Sequence, residues 1–211
     1  MADHPIFTES IRRLRALLGE TGLDPLQQQV LERLVHSSGD PGLQQLLRFS
    51  EGACEQGLAA LQAGAAILTD TAMAAAAVTP MAARTLGTSV RCLLDWAPEV
   101  SPQDSTRSAM AMLRAWPELT QVASAKGQPM PVLLVGSAPT ALEQLLDQLD
   151  AGAPAPSLVI GMPVGFVGVP ESKRHLAATA LAQIRLEGTR GGAGLVAAAA
   201  NALLRAAQAA S

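Results

Sequence analysis

Proton transfer near neutral pH falls most readily to histidine, and the settings of this chain's three histidines differ. His4 stands in the opening residues, and His175 sits among Glu171, Lys173 and Arg174, the pattern of a solvated helix face. His36 ends an apolar helical pattern and faces a turn-forming run, Ser37-Ser38-Gly39-Asp40-Pro41-Gly42. Arg33 precedes it by three residues, which makes the two side chains neighbours on a helix. An imidazole so placed can act as an acid or base, or it can cap the helix by bonding a terminal carbonyl. Ser10 has a similar double reading, because a serine within a helix often bonds its own backbone. Thr106-Arg107-Ser108 offers hydroxyls and an anion-binding guanidinium, or simply an ordinary helix start.

Three strand-to-helix junctions add binding capacity. Gly136-Ser137-Ala138-Pro139-Thr140 turns sharply into a helix, so backbone N–H groups should point outward and the helix dipole should favour an anion. The run Gly161-Met162-Pro163-Val164-Gly165-Phe166-Val167-Gly168, ahead of Glu171-Ser172-Lys173, can pack on a large apolar ligand. Gly188 to Gly194 opens a third helix, with Arg190 adding a fixed positive charge. Glycine and proline at such turns can also serve backbone geometry alone. The glycines match neither a dinucleotide nor a phosphate-loop fingerprint, and there is no G-x-S-x-G elbow. Cys54 and Cys92 are far apart and lack His or Cys neighbours at ligand spacing, so they read as buried free thiols with no metal site.

The elements that must position these residues follow from hydropathy patterning. Phe7, Ile11, Leu14 and Leu18 form one helical stripe that Gly19 and Gly22 end. Asp24-Pro25 reads as an N-cap and first residue of a second helix, with Leu26, Val30, Leu31 and Leu34 inward and an end near His36. Pro41 can restart a helix with Leu43, Leu46 and Leu47 inside. From Gly64 onward, buried strands are expected at Ala65 to Leu68, Val90 to Leu94, Val132 to Val135, Leu158 to Ile160 and Ile184 to Leu186. Helices are expected at Thr71 to Val78, Ser105 to Trp116, Pro139 to Leu149, Glu171 to Ala180 and Gly194 to Ala209. This alternation implies parallel pairing, because a parallel neighbour needs a crossover of helical length. The expectation is an α/β, three-layer fold with a mainly parallel sheet of about five strands flanked by helices, in one domain over residues 1–211.

Composition narrows the function. Among 211 residues, 49% are hydrophobic and 16% charged, which excludes a disordered chain. A formal charge of −3, with 2% aromatic residues and no tyrosine, provides neither the basic surplus nor the stacking surface for nucleic acid. The alanine-rich stretches are short or broken by Asn201, so none should span a bilayer, and no signal peptide is visible; a cytoplasmic protein is expected.

The segments His36-Ser37-Ser38-Gly39-Asp40-Pro41, Thr106-Arg107-Ser108-Ala109, Gly136-Ser137-Ala138-Pro139-Thr140-Ala141-Leu142, Gly161 to Val167, Glu171-Ser172-Lys173 and Arg190-Gly191-Gly192 together, in this order, resemble the precorrin-8X methylmutase family. The likeness runs from about Ile6 to Leu203. It implies a homodimeric isomerase of cobalamin biosynthesis, without a cofactor, that moves a methyl group between adjacent ring C carbons of precorrin-8X or cobalt-precorrin-8. It assigns the proton transfer to His36 and substrate contacts to Ser10, Arg33 and Arg107. A macrocycle rimmed by carboxylates also suits the helix starts at Ser137 and Thr140 and the guanidinium of Arg190. Ser137 stands where the family commonly carries asparagine, and Met73 to Thr79 is richer in alanine than the family pattern. The same pocket in a non-catalytic protein would make a tetrapyrrole carrier or sensor.

Overall fold

Two helices joined by the six-residue loop 19–24 come first among the described elements. α1 (Pro5–Leu18) buries only Leu14 and Leu18, while Phe7 and Ile11, at the outer end of its apolar stripe, stay half-buried. α2 (Pro25–Ser38) starts where the Asp24 carboxylate accepts from the N–H groups of Leu26 and Gln27, and it ends at Gly39, whose φ of 69° lets its N–H reach Val35 O. The computed structural model describes residues 5–101 and 103–209. His4 lies outside them.

After α2, the expected helix is replaced by a 3-10 turn, Pro41–Gln45, and a strand, β1 (Leu47–Phe49). β1 lies antiparallel to a strand about 140 residues away in sequence, with Leu47 opposite Leu186 and Phe49 opposite Ile184. That long-range pairing is what turns a locally helical pattern into strand. It also makes the sheet six-stranded instead of five-stranded.

The remaining elements are α3 (Ala53–Gln62), which the hydropathy reading had not placed, β2 (Ile67–Thr69), α4 (Ala72–Arg84), β3 (Val90–Cys92), α5 (Arg107–Ala125), β4 (Val132–Val135), α6 (Pro139–Asp150), β5 (Leu158–Gly161), α7 (Val169–Ala177), β6 (Gln183–Leu186) and α8 (Ala193–Ala209). The strand order is β1-β6-β5-β4-β2-β3, and every pair except β1–β6 is parallel. Leu93–Trp96 forms a 3-10 turn, which shortens β3 relative to expectation.

Strand alternation divides the core into two halves. Val132 and Leu134 of β4 face α2, α3, α4 and α8, whereas Leu133 and Val135 face α5, α6 and α7. The three layers are therefore helix, sheet, helix. In the first helical layer α8 is central, and its buried run Ala197–Ala200 lets α2, α3 and α4 approach closely.

α4 continues through Pro80 and α5 through Pro117, past the ends expected at Val78 and Trp116. Interior proline costs about 3 kcal/mol, and the buried face of α5 offsets that with Met112, Ala115, Trp116 and Leu119. α7 buries Ser172 and Lys173, so it is no solvated helix. Its His175 is half-buried and bonds Glu143 of α6 at 2.6 Å. No helix among the described residues is long and apolar enough to cross a membrane.

Candidate functional site

The pairing of α1 with α2 brings Ser10 Oγ to 2.9 Å from His36 Nδ1. Neither residue turns to its own backbone: the cap of α2 is the Gly39 N–H, and the helix runs two residues beyond His36. The hydroxyl can donate or accept, so Ser10 can follow either tautomer and hold the ring while Nε2 stays available to a ligand. His36 is exposed and Ser10 half-buried. Phe7 meets the imidazole edge-on, with centroids 5.2 Å apart and planes at 78°. The guanidinium of Arg33 lies 5.6 Å from the Phe7 centroid and that of Arg205 lies 5.3 Å from it. Arg33 thus reaches the histidine through an aromatic ring.

Phe7 also borders a groove of about 550 Å³ between α1, α2 and α8, lined by Ile11, Arg12, Arg15, Arg33 and Arg205 among others. Glu32, buried beneath it, accepts two bonds from Arg15, at 2.7 and 3.0 Å, and one from Gln28 at 2.9 Å. The groove wall is therefore cationic and apolar, with its one buried acid already satisfied by arginine and glutamine.

Arg190 joins this cluster from the loop between β6 and α8. Its Nη1 is 2.9 Å from Asp40 Oδ2, in the turn that follows His36, so its charge is directed at the histidine's loop and not at the start of α8.

The β4–α6 junction differs from expectation. The N–H groups of Gly136 and Ala138 donate to Asp70 Oδ2 at 3.0 and 2.8 Å, and the Ser137 N–H donates to the same oxygen. Asp70 is fully buried at the end of β2. The parallel neighbour relation places it there, since its own N–H bonds Leu134 O. Ala138, the N-cap of α6, makes no side-chain capping bond; Asp70 accepts from its N–H and from the two N–H groups before it, in the turn ahead of the helix. Burial pushes the Asp70 carboxyl up, and the three amides oppose that shift. The anion site read from the turn is filled by the chain's own carboxylate.

What remains outward at this junction are side chains. Thr140 is exposed and its Oγ1 lies 2.7 Å from that of Thr106, which caps α5 through the Ala109 N–H. Arg107 is exposed, with Nε bonded to Pro98 O at 2.8 Å. Ser137, Thr140 and Arg107 thus form a second cluster at the starts of α5 and α6, separate in its bonding from Ser10, Arg33, His36 and Arg190. Beside it, the loop after β5 raises Phe166 and Val167, 87% and 90% exposed, with Val164 N–H bonded to Gly136 O and Gly165 N–H to Thr189 O. All of these turns lie at the carboxyl edge of the parallel strands, where open α/β sheets bind ligands.

Sequence reasoning missed Asp70, Asp40 and the position of Phe7. An acid ending an apolar strand run was a usable signal for Asp70; for Phe7, helical periodicity pointed to the core. No group of three or more potential metal ligands occurs among the described residues. Both cysteines are unpaired, but only Cys54 is buried, and burial pushes its thiol up to about 12; Cys92 is half-buried.

The precorrin-8X methylmutase family model matches residues 5–206. The Pseudomonas aeruginosa protein named precorrin-8X methylmutase is 41% identical over 207 residues, covering 94% of this chain and 93% of that protein. The cobalt-precorrin-8 methylmutase of a Synechocystis species is 31% identical over 216 residues, covering 96% and 95%. A crystal structure of precorrin-8X methylmutase from Thermus thermophilus superposes with a TM-score of 0.82 at 40% identity, covering 97% of this chain and 96% of that one. With the fold and nearly the whole length in agreement, the chain belongs to the precorrin-8X methylmutase family, isomerases of cobalamin biosynthesis.

Proposed function

We propose that this enzyme moves a methyl group between adjacent ring C carbons of precorrin-8X or cobalt-precorrin-8, with His36 as the acid/base. The observation that carries this reading is the Ser10–His36 pair: an exposed imidazole, one nitrogen held, beside a groove edged with arginine. In this mechanism, proton transfer between His36 and the conjugated ring redistributes its electrons. The bond from the methyl to its first carbon breaks as the bond to the neighbouring carbon forms, and the proton balance is restored through the same imidazole. All atoms of the product come from the substrate, so neither a methyl donor nor a redox partner is required. Such a group contributes about a hundredfold to ten-thousandfold, and orientation of the ring supplies the rest.

Arg33, Arg107 and Arg190 are assigned to the substrate's carboxylates, with the hydroxyls of Ser10, Ser137 and Thr140 as further hydrogen-bonding groups. The Ser137 N–H is committed to Asp70, so its side chain alone is available for this role. A homodimer belongs to the same reading, and the exposed Leu17, Phe166 and Val167 are surfaces that a second copy can cover. So does a cytoplasmic location, with which two unpaired cysteines agree.

The test is incubation of purified wild type and His36→Ala with precorrin-8X, followed by absorption spectra. The variant is expected to retain the pigment without the spectral change of conversion. Conversion at the wild-type rate would overturn the assignment, and pigment retention without conversion by the wild type would identify a carrier. A sedimentation mass of 21.7 kDa would overturn the dimer.

A further inference from the structure

Among the described residues Lys173 is the only buried cation, at 2% exposure. Its ammonium faces two backbone carbonyls, Gly188 O at 2.8 Å and Arg190 O at 2.6 Å. Burying an ammonium is costly, and these bonds go to a loop without regular structure. The far side of that loop is equally constrained. Gly192 N–H bonds Met162 O at 2.9 Å, and a Cβ at Gly191 would collide with the same carbonyl oxygen.

A continuous set of contacts runs outward from this anchor. Arg190 Nη1 meets Asp40 Oδ2 at 2.9 Å, and Asp40 Oδ1 accepts from the Gly42 N–H at 2.9 Å. The Asp40 N–H donates to Ser38 Oγ at 3.1 Å, and Ser38 Oγ donates to Leu34 O at 2.9 Å. His36 stands in that last turn of α2. The turn is therefore tied to α7 by one route and to α1, through Ser10, by another.

We propose that Lys173 is a positioning residue for the reaction at His36: by gripping the carbonyls of Gly188 and Arg190 it aims the Arg190 guanidinium at Asp40 and so holds the last turn of α2. The role rests on the reading of His36 as the acid/base. Lys173 touches neither His36 nor the groove; it acts through Arg190 and Asp40.

Two substitutions open the chain at its two ends. Lys173→Met removes the ammonium and keeps most of the stem volume. Asp40→Asn breaks the ion pair at the partly exposed surface end, where folding is not at stake, while its side-chain oxygen still accepts from Gly42. Amide hydrogen exchange over residues 36–42 and separate kcat and KM values on precorrin-8X are the readouts, made on the full chain. Each variant is expected to exchange faster in that segment and to lose about tenfold in kcat with a smaller change in KM. The double variant should lose no more than the worse single one, because both act through one chain of contacts.

Unchanged exchange over 36–42, or kcat losses that multiply in the double variant, overturns the proposal. If Lys173→Met does not fold, unchanged exchange and kcat in Asp40→Asn overturn it alone. Full turnover by His36→Ala would sink the reading of the histidine instead, and the exchange measurements still decide the clamp.

Discussion

The β4–α6 turn and the Ser10–His36 pair lie at the same edge of the sheet, and each presents polar groups that could meet an anionic substrate. They have opposite fates. At the turn, the amides of Gly136, Ser137 and Ala138 converge on the buried Asp70 carboxylate, so their bonding capacity is used inside the protein. At the pair, one nitrogen of an exposed imidazole is bonded to Ser10 and the other is left to the surroundings. The difference follows from burial: a polar group away from water must be satisfied by the chain itself, whereas one at the surface can exchange water for a ligand. A helix start is therefore a binding site only when the fold has not already placed an acid on it.

The comparison breaks most directly at the histidine. His36→Ala is expected to lower turnover about a hundredfold to ten-thousandfold while changing unfolding free energy by no more than about 0.5 kcal/mol, as measured by steady-state kinetics and urea titration. Asp70→Ala is the converse experiment. It should cost about 3 kcal/mol of stability, because three amides lose their shared acceptor in a buried setting; a loss below about 0.5 kcal/mol would remove the distinction between the two regions.

Ser10→Ala has a smaller effect. It should lower kcat about tenfold through a less constrained imidazole, with stability nearly unchanged, and an unaltered kcat would show that the 2.9 Å contact does not orient the ring. The mildest expectation concerns Lys173, whose buried ammonium is met by two carbonyls as one oxygen of Asp70 is met by three amides. Burial pushes its ammonium down to about 8 from 10.5. Between those values the unfolded chain binds more protons than the folded one, so stability rises with pH across that window. The gain is about 1 kcal/mol from about pH 8 to about pH 9, read as the wild-type increase that Lys173→Met lacks. The neutral amine still has two hydrogens for its two carbonyls, so the loop contact survives the titration.

Much of the α/β alternation was legible because β4 and β5 are short apolar runs flanked by glycine, proline and helical periodicity, while in β6 Ile184 and Leu186 alternate with Gln183 and Arg185. β1 was not, since its three residues become strand only by pairing with β6. Pro80 and Pro117 misplaced helix ends because burial of the opposite face outweighs a local penalty. At the site, His36, Ser10, Arg33 and Arg190 were visible as residue types in suggestive settings. Their partners were not: Ser10 bonds a residue 26 positions away, and Asp70 bonds a turn 66 to 68 positions away.

By itself, the sequence determined which segments alternate, where the chemical groups stand along the chain, and which family the ordered motifs resemble. Only the tertiary structure decided which groups are spent and which are open. It put Asp70 on the amides of the β4–α6 turn, sank Lys173 into the core against a loop, and brought Ser10 to His36. The physical reason is that periodicity and turn chemistry are local, whereas the satisfaction of a polar group depends on whatever distant residue packing delivers to it.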